Sequence, residues 1–267
     1  MLRSDATHER PELPAVDERL VASEVPYEIH DGALVHVPPA DEPHGTLHSR
    51  LAALVEAHAG SEFAVAVDML TRTSKTSDVA PDVSVFPRAR DPRTGGRQIE
   101  QLAFEIVSSQ SLGHAGGKAA KLRARGVRRV FAIDVERGRA LEWSTALATW
   151  SVLEPSAHIA DPALSVPLPI AALLREAKTD DAVARALIAK RNPEIEAVRD
   201  QDRHEAKIAG KHEGLAEALL VMLAARGISV ARADRDRILS EQDPARLDRW
   251  ITRAAVCARV AEIFAER

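Results

Sequence analysis

Residues 102–133 constrain the fold more than any other stretch of the chain. Leu102 to Val107 is an apolar strand broken by one charge, Glu105; Gly113 to Arg125 is helical and closes on Gly126; Val127 to Ile133 is a strand again. Strand, helix and strand in that order imply a parallel crossover, right-handed in nearly all proteins. The chain therefore contains an α/β domain.

The flanking segments extend it. Tyr27 to Val37 holds an Asp31-Gly32 pair between two β-rich halves, a hairpin signature. His44 to Ala59 sets Leu47, Leu51, Leu54 and Val55 at helical spacing before Gly60, which predicts an amphipathic helix packed on the sheet. Phe63 to Leu70 and Val83 to Phe86 read as short strands separated by a polar linker, Thr71 to Asp78, with Pro87 stopping the second. Arg139 to Trp143 pairs after the turn Glu136 to Gly138. From Ile170 onward the pattern is helical: a long polar segment, Asn192 to His212, leads into Leu215, Leu219, Leu220, Met222 and Leu223. Asp243-Pro244 then starts a last helix bearing Leu247, Trp250, Ile251, Ile263 and Phe264. The expected organisation is a flexible lead-in over residues 1–20, an α/β domain over 21–178 and an all-α region over 179–267.

With 267 residues and 45% hydrophobic content, the chain can fill such a core. Met1 to Val21 lacks the apolar run of a signal peptide, and no stretch approaches the roughly 18 apolar residues of a membrane span. Cys257, the single cysteine, has no internal partner. A reducing, cytoplasmic setting without membrane contact is expected.

A net charge of −4 argues against a surface that binds polyanions everywhere, so charge distribution matters more than its sum. Residues 88–129 hold ten Lys or Arg against three acids, while the rest of the first 170 residues holds eight against twenty. Arg88, Arg90, Arg93 and Arg97 lie between two candidate carboxylates; Lys118, Lys121, Arg123, Arg125, Arg128 and Arg129 follow the second. They are candidates for contact with a nucleic-acid backbone, or a solvated face that balances the acidic remainder. Low aromatic content argues against single-strand binding by stacking.

The two carboxylates are Asp82, which follows Pro81 at the start of a strand, and Glu105, inside one, where an unpaired charge is costly to bury. If these strands are neighbours, both groups can point from one end of the sheet and share a hard cation, with the Ile106 carbonyl as a further oxygen ligand. Magnesium suits that set, with manganese as a substitute. Lys118, on the next helix, reaches toward the same point, where it can hold an attacking water and stabilise charge on a phosphorane-like transition state. On spacing alone the three residues equally fit a structural role, with Asp82 capping a turn, Glu105 in an edge salt bridge and Lys118 solvated. His44 and His48, four residues apart, lack the glutamate and third ligand of a zinc motif. There is no nucleophile elbow, P-loop, dinucleotide fingerprint or cysteine pair.

Five runs carry a resemblance over about residues 25–178: Y-E-I-H-D-G-A-L-V, P-H-G-T-L-H, A-P-D-V-S-V-F, L-A-F-E-I-V-S-S and G-K-A-A-K-L-R-A-R-G-V-R-R-V-F-A-I-D. Together they resemble the Uma-type "putative restriction endonuclease" family of the PD-(D/E)XK nuclease superfamily. The resemblance implies a restriction-endonuclease-like core, a central mixed sheet flanked by helices with an N-terminal hairpin. It also implies Asp82 as first carboxylate and Glu105 as second. Val107 stands where the E-x-K element has its lysine; in the family that lysine is displaced to the following helix, where Lys118 matches and Lys121 is the neighbouring fallback. Glu28 matches a recurrent glutamate, a third carboxylate or an orienting residue, though a hairpin salt bridge fits as well. His44 matches a position suited to a phosphate or orienting contact. Leu122 and Phe131 replace an aromatic and a tryptophan, and both keep the position apolar.

The implied activity is a divalent-metal-dependent endonuclease acting on DNA. The alternative is an inactive nuclease fold that binds nucleic acid or serves as an oligomeric scaffold. The stripe Leu215 to Leu223 fits self-association, as in a homodimer, or docking on the α/β domain of the same chain.

Overall fold

A parallel pair of strands forces its connecting helix onto one face of the sheet, and the rest of the first unit is arranged around that requirement. The computed structural model describes residues 13–108 and 111–265, with the backbone alone at 176 and 177. The hairpin forms between β1 (Tyr27–His30) and β2 (Ala33–His36); Asp31 and Gly32 take φ of 55° and 89°, the left-handed pair that a two-residue turn between twisted strands needs. Helix α1 (Glu42–His58) is capped by the Asp41 side chain, which accepts the His44 N–H at 3.0 Å.

Then follow β3 (Phe63–Val67), β4 (Thr71–Ser74), β5 (Ser77–Val79), β6 (Val83–Pro87), β7 (Leu102–Val107), α2 (Leu112–Arg125), β8 (Arg129–Asp134), β9 (Arg139–Ser144) and β10 (Thr149–Val152). The main sheet runs β10-β9-β8-β7-β6-β3, antiparallel except for the β7/β8 pair that α2 connects. A second sheet runs β2-β1-β5-β4. β11 (His158–Ile159) and β12 (Leu168–Pro169) pair with each other before α3 (Ile170–Leu174) and α4 (Glu176–Ala189).

Residues of β7 alternate between two helices. Leu102, Phe104 and Ile106 pack with Leu51, Leu54 and Val55 of α1, and Phe104 stacks on Phe131 at 5.1 Å. On the other face Ala103 packs with Ala119 and Leu122 of α2, and Val107 with Ala115. Burial on both faces explains the nearly unbroken apolar run. Helix α2 lies close to the sheet because Gly116 leaves space: a Cβ there would come within 3.0 Å of Trp143.

Three expectations about the first unit need correction. The linker Thr71 to Asp78 is the β4–β5 hairpin, buried along its strands and exposed only at the turn; its polar side chains find partners, Arg72 on Asp78 at 2.8 Å and Thr71 on Glu100. The lead-in is docked from Pro14 on: Val16 is buried, its carbonyl accepts the Arg72 N–H at 2.8 Å, and the Leu20 N–H donates to Asp78 at 2.8 Å. Residues 1–12 of that lead-in lie outside the described residues. The first unit also continues past residue 178, because α4 sets Ala182 and Val183 into the core beside α1; the chain divides at the step from Arg191 to Asn192.

The second unit holds α5 (Pro193–Ala225), α6 (Arg232–Leu239), α7 (Pro244–Ala254) and a short 3-10 turn, Val260–Glu262. Asp243 caps α7 through the Ala245 N–H at 2.9 Å. That helix stops at Ala254, and Ile263 and Phe264 reach the same core from beyond it, Phe264 edge-on to Trp250 at 4.9 Å. The stripe with Leu219 and Leu223 packs on Leu247 and Trp250 of α7, so its apolar face is covered within its own unit. Among the described residues no helix is long and apolar enough to cross a membrane.

Candidate active site

Antiparallel pairing sets Val83 opposite Phe104, and one step further in that register Asp82 comes opposite Glu105. On the other side Val67 stands opposite Val83, so Asp68 follows opposite Asp82. Three carboxylates thus stand in a row at one end of β3, β6 and β7. Here the ladder gives way: the Ile106 N–H donates to Asp82 Oδ2 at 2.5 Å rather than to a main-chain carbonyl. The N–H and C=O of an extended residue share a side, so the Ile106 carbonyl also faces the Asp82 side, whereas the Val107 carbonyl turns the other way and accepts the Val135 N–H at 3.0 Å.

Glu105 is 4% exposed. Its Oε2 lies 2.9 Å from Lys118 Nζ, and its Oε1 is buried with no hydrogen-bond partner. Lys118 comes from the second turn of α2, a helix that starts on Ser111, whose side chain accepts the His114 N–H. The Lys118 ammonium also meets Glu28 Oε1 at 3.0 Å and donates to the Ala80 carbonyl at 2.7 Å, so all three of its donors are used. Glu28, buried on β1, is held in turn by the Ala80 N–H at 2.8 Å and by His30 Nε2 at 2.9 Å.

The charges of this group oppose and support one another. Burial pushes the Glu105 carboxyl up to about 8, against the pull of Lys118 and with help from the charge on Asp82. Burial also works to lower Lys118, but Glu105, Glu28 and Asp82 outweigh it and keep the ammonium protonated. Asp82 is partly buried, and there His44, Lys118 and the Ile106 N–H win over desolvation, so its carboxyl stays below the usual range. His44 Nε2 is 3.7 Å from Asp82 Oδ1 and its Nδ1 3.5 Å from Ser108 Oγ; Asp82 lifts this imidazole above its ordinary value. His48 donates from Nε2 to the Asp82 carbonyl at 2.5 Å, with Asp68 Oδ1 3.8 Å away. The two histidines hold Asp82 by side chain and main chain, their rings 5.9 Å apart and edge-on.

The donor set fits a hard divalent cation: an ionised Asp82, a buried Glu105 oxygen with no partner, and a strand carbonyl on the same side. Lys121 stands elsewhere. Its Nζ meets Asp31 Oδ2 at 2.9 Å and donates to Ser77 Oγ at 3.4 Å, tying the hairpin turn to α2, so it is not a fallback for Lys118. Arg97 leaves the set of candidate nucleic-acid contacts: it is 8% exposed, pairs with Glu100 at 2.5 Å and lies over the Phe86 ring at 5.5 Å. Arg123 and Arg125 are half-buried and donate to main-chain carbonyls, Arg123 to Val127 at 2.7 Å and Arg125 to Arg72 and Pro14 at 3.0 and 2.6 Å. Arg88, Arg90 and Arg93 are exposed between β6 and β7.

Sequence reasoning missed Asp68 and the grip of His48 on Asp82. Asp68 follows from the register of β3 against β6 and His48 from the packing of α1 over those strands; the local sign of the first is Asp68 itself, a charge closing an apolar run.

No curated protein matches the chain. Among solved structures it is similar to a crystal structure from Anabaena variabilis, described as a putative nuclease belonging to DUF820, with 19% identity, a TM-score of 0.49 and coverage of 60% of this chain and 98% of that one. The family model Uma2, "Putative restriction endonuclease", matches residues 12–168, more than half of the 267. The chain therefore belongs to the Uma2 family of putative restriction endonucleases.

Proposed function

We propose that this protein is a divalent-metal-dependent endonuclease that hydrolyses DNA phosphodiester bonds, with Asp82, Glu105 and the Ile106 carbonyl holding magnesium, or manganese in its place. One observation carries the reading: Glu105 is buried beside Asp82 with one oxygen on Lys118 and the other on nothing. A buried carboxyl oxygen with no partner is unfavourable unless something completes it.

The bound ion supplies positive charge against the scissile phosphate and a lower pKa for the attacking water. The remaining work falls to the chain. Asp82 is kept ionised and oriented by the Ile106 N–H and the two histidines. Lys118, once it turns one donor from the Ala80 carbonyl to the substrate, holds the attacking water and meets the charge that grows on the phosphate oxygens. His44, partly exposed with Nε2 3.7 Å from Asp82 Oδ1, would hydrogen-bond the phosphate in this reading. Arg88, Arg90 and Arg93 supply backbone charge contacts. A single site cuts one strand at a time, so duplex cleavage calls for two encounters or a homodimer, which light scattering on the full chain distinguishes.

The test is purified protein with magnesium or manganese on plasmid and linear DNA, beside Glu105→Gln. Cleavage by the wild type alone supports the reading; equal inactivity of both, without metal binding, refutes it. A second reading, an inactive nucleic-acid-binding module, draws on the commitment of every Lys118 donor to protein oxygens. Salt-dependent DNA binding without cutting is its signature.

A further inference from the structure

A second cluster lies behind the carboxylate row, with different chemistry. Glu28 and His30 are two residues apart on β1 and so share a face of the strand. His114 faces them from the first turn of α2. One ligand atom from each, two imidazole nitrogens and a carboxylate oxygen, lie within 4.8 Å of one another. Glu28 Oε2 is 2.9 Å from His30 Nε2, and the two imidazole rings are 5.6 Å apart.

Ligand atoms on a four-coordinate ion with bonds of about 2.0–2.1 Å stand roughly 3.3 Å apart, so small side-chain rotations close the cluster around one ion. Glu28 is buried and fixed by Lys118 and the Ala80 N–H, which makes it the rigid member. His114 is exposed, which gives an ion and its remaining water a way in. Metal on His30 Nε2 sends the ring proton to Nδ1, where Lys121, already bonded to Asp31, makes only a 3.5 Å contact.

We propose that Glu28, His30 and His114 form a second cation site, selective for zinc or a similar transition-metal ion. Two nitrogens and one oxygen favour such an ion over magnesium, whereas the all-oxygen carboxylate row favours magnesium. Glu28 links the two centres: Oε2 turns to the ion while Oε1 stays on Lys118. The ion pins β1 to α2 and fixes the carboxylate that orients the lysine. None of this depends on catalysis, so it stands apart from the nuclease reading.

The test is calorimetric titration of metal-free, full-length protein with zinc in excess magnesium, beside cobalt titration followed by visible absorption. One zinc equivalent is expected in the wild type and in Glu105→Gln, with at least tenfold weaker binding, and loss of the cobalt bands, in His114→Ala and His30→Asn. Circular dichroism checks the fold; His114 is exposed, so its variant keeps the proposal testable if His30→Asn unfolds. Zinc binding that survives both histidine substitutions, or no zinc binding at all, overturns the site. Zinc lost in Glu105→Gln but kept in the histidine variants also overturns it, by moving the ion to the carboxylate row. Zinc bound as expected by a protein that cuts no DNA sinks the nuclease reading and leaves this one intact.

Discussion

Magnesium affinity at the carboxylate row is expected to climb with pH through the neutral range. Glu105 titrates at about 8, so below that pH an incoming ion must displace a proton, while above it the carboxylate is ready. Asp82 is held below the usual range and contributes no such step. Well below the Glu105 value each pH unit therefore weakens apparent affinity about tenfold, or ~1.4 kcal/mol, and a fall from about pH 8 to about pH 6 costs ~50-fold. Titration calorimetry in buffers of different ionisation enthalpy should show about one proton released per ion near pH 7, and almost none above about pH 9. His44 is a second proton source because Asp82 raises it, so His44→Asn should remove its share and leave that of Glu105. Glu105→Gln should remove the Glu105 share of the pH dependence together with most of the affinity, leaving that of His44. Affinity that stays flat over this range, with no buffer-dependent heat, refutes the reasoning: the attraction of Lys118 would then have beaten burial, and Glu105 would already be ionised.

Lys118→Met strands two buried carboxylates and should cost about 3–5 kcal/mol in urea unfolding without metal, part of which Glu105→Gln restores in the double variant. Arg97→Ala should destabilise by about 3 kcal/mol in the same assay and leave DNA affinity unchanged, because the guanidinium braces Glu100, Thr71 and Phe86. Arg90→Ala should do the reverse, with stability changed by less than about 0.5 kcal/mol and the salt dependence of DNA binding reduced by about one charge. A chain ending at Arg191 should keep the melting temperature of the first unit, whereas one ending at residue 178 should melt lower because α4 no longer covers α1.

The parts of the fold written in the sequence are those whose causes are local. Asp31-Gly32 declares its turn through two residues that tolerate positive φ, and Gly126 ends α2 for the same reason, at φ 120°. The β4–β5 hairpin was illegible because Thr71, Arg72 and Asp78 look like linker residues until Glu100, Arg97 and the docked lead-in supply their partners. Arg97 failed as a proposed DNA contact for a related reason: charge counts along the chain carry no burial. At the site, Asp82 and Glu105 could be read from motif and strand context, whereas Asp68 depends on the register of β3 against β6. His30 and His114 are 84 positions apart in the numbering, and pairwise spacing says nothing about residues that a crossover brings together.

Val107 occupies the place where an E-x-K motif would root its lysine, and here it is 5% exposed and packed with Ala115, Ala132 and Leu141. The ammonium arrives instead from across the layer, on a flexible four-carbon stem anchored in α2. The proposed chemistry would therefore require the endpoint of a charge rather than its attachment. A search for E-x-K starting at Glu105 passes this site by, because Val107 stands in the lysine position; a search of structures for an ammonium wedged between two buried carboxylates finds it. Returning the lysine to position 107 would not repair the motif, since it would drive a second cation into the apolar contacts that Val107 makes with Ala115, Ala132 and Leu141.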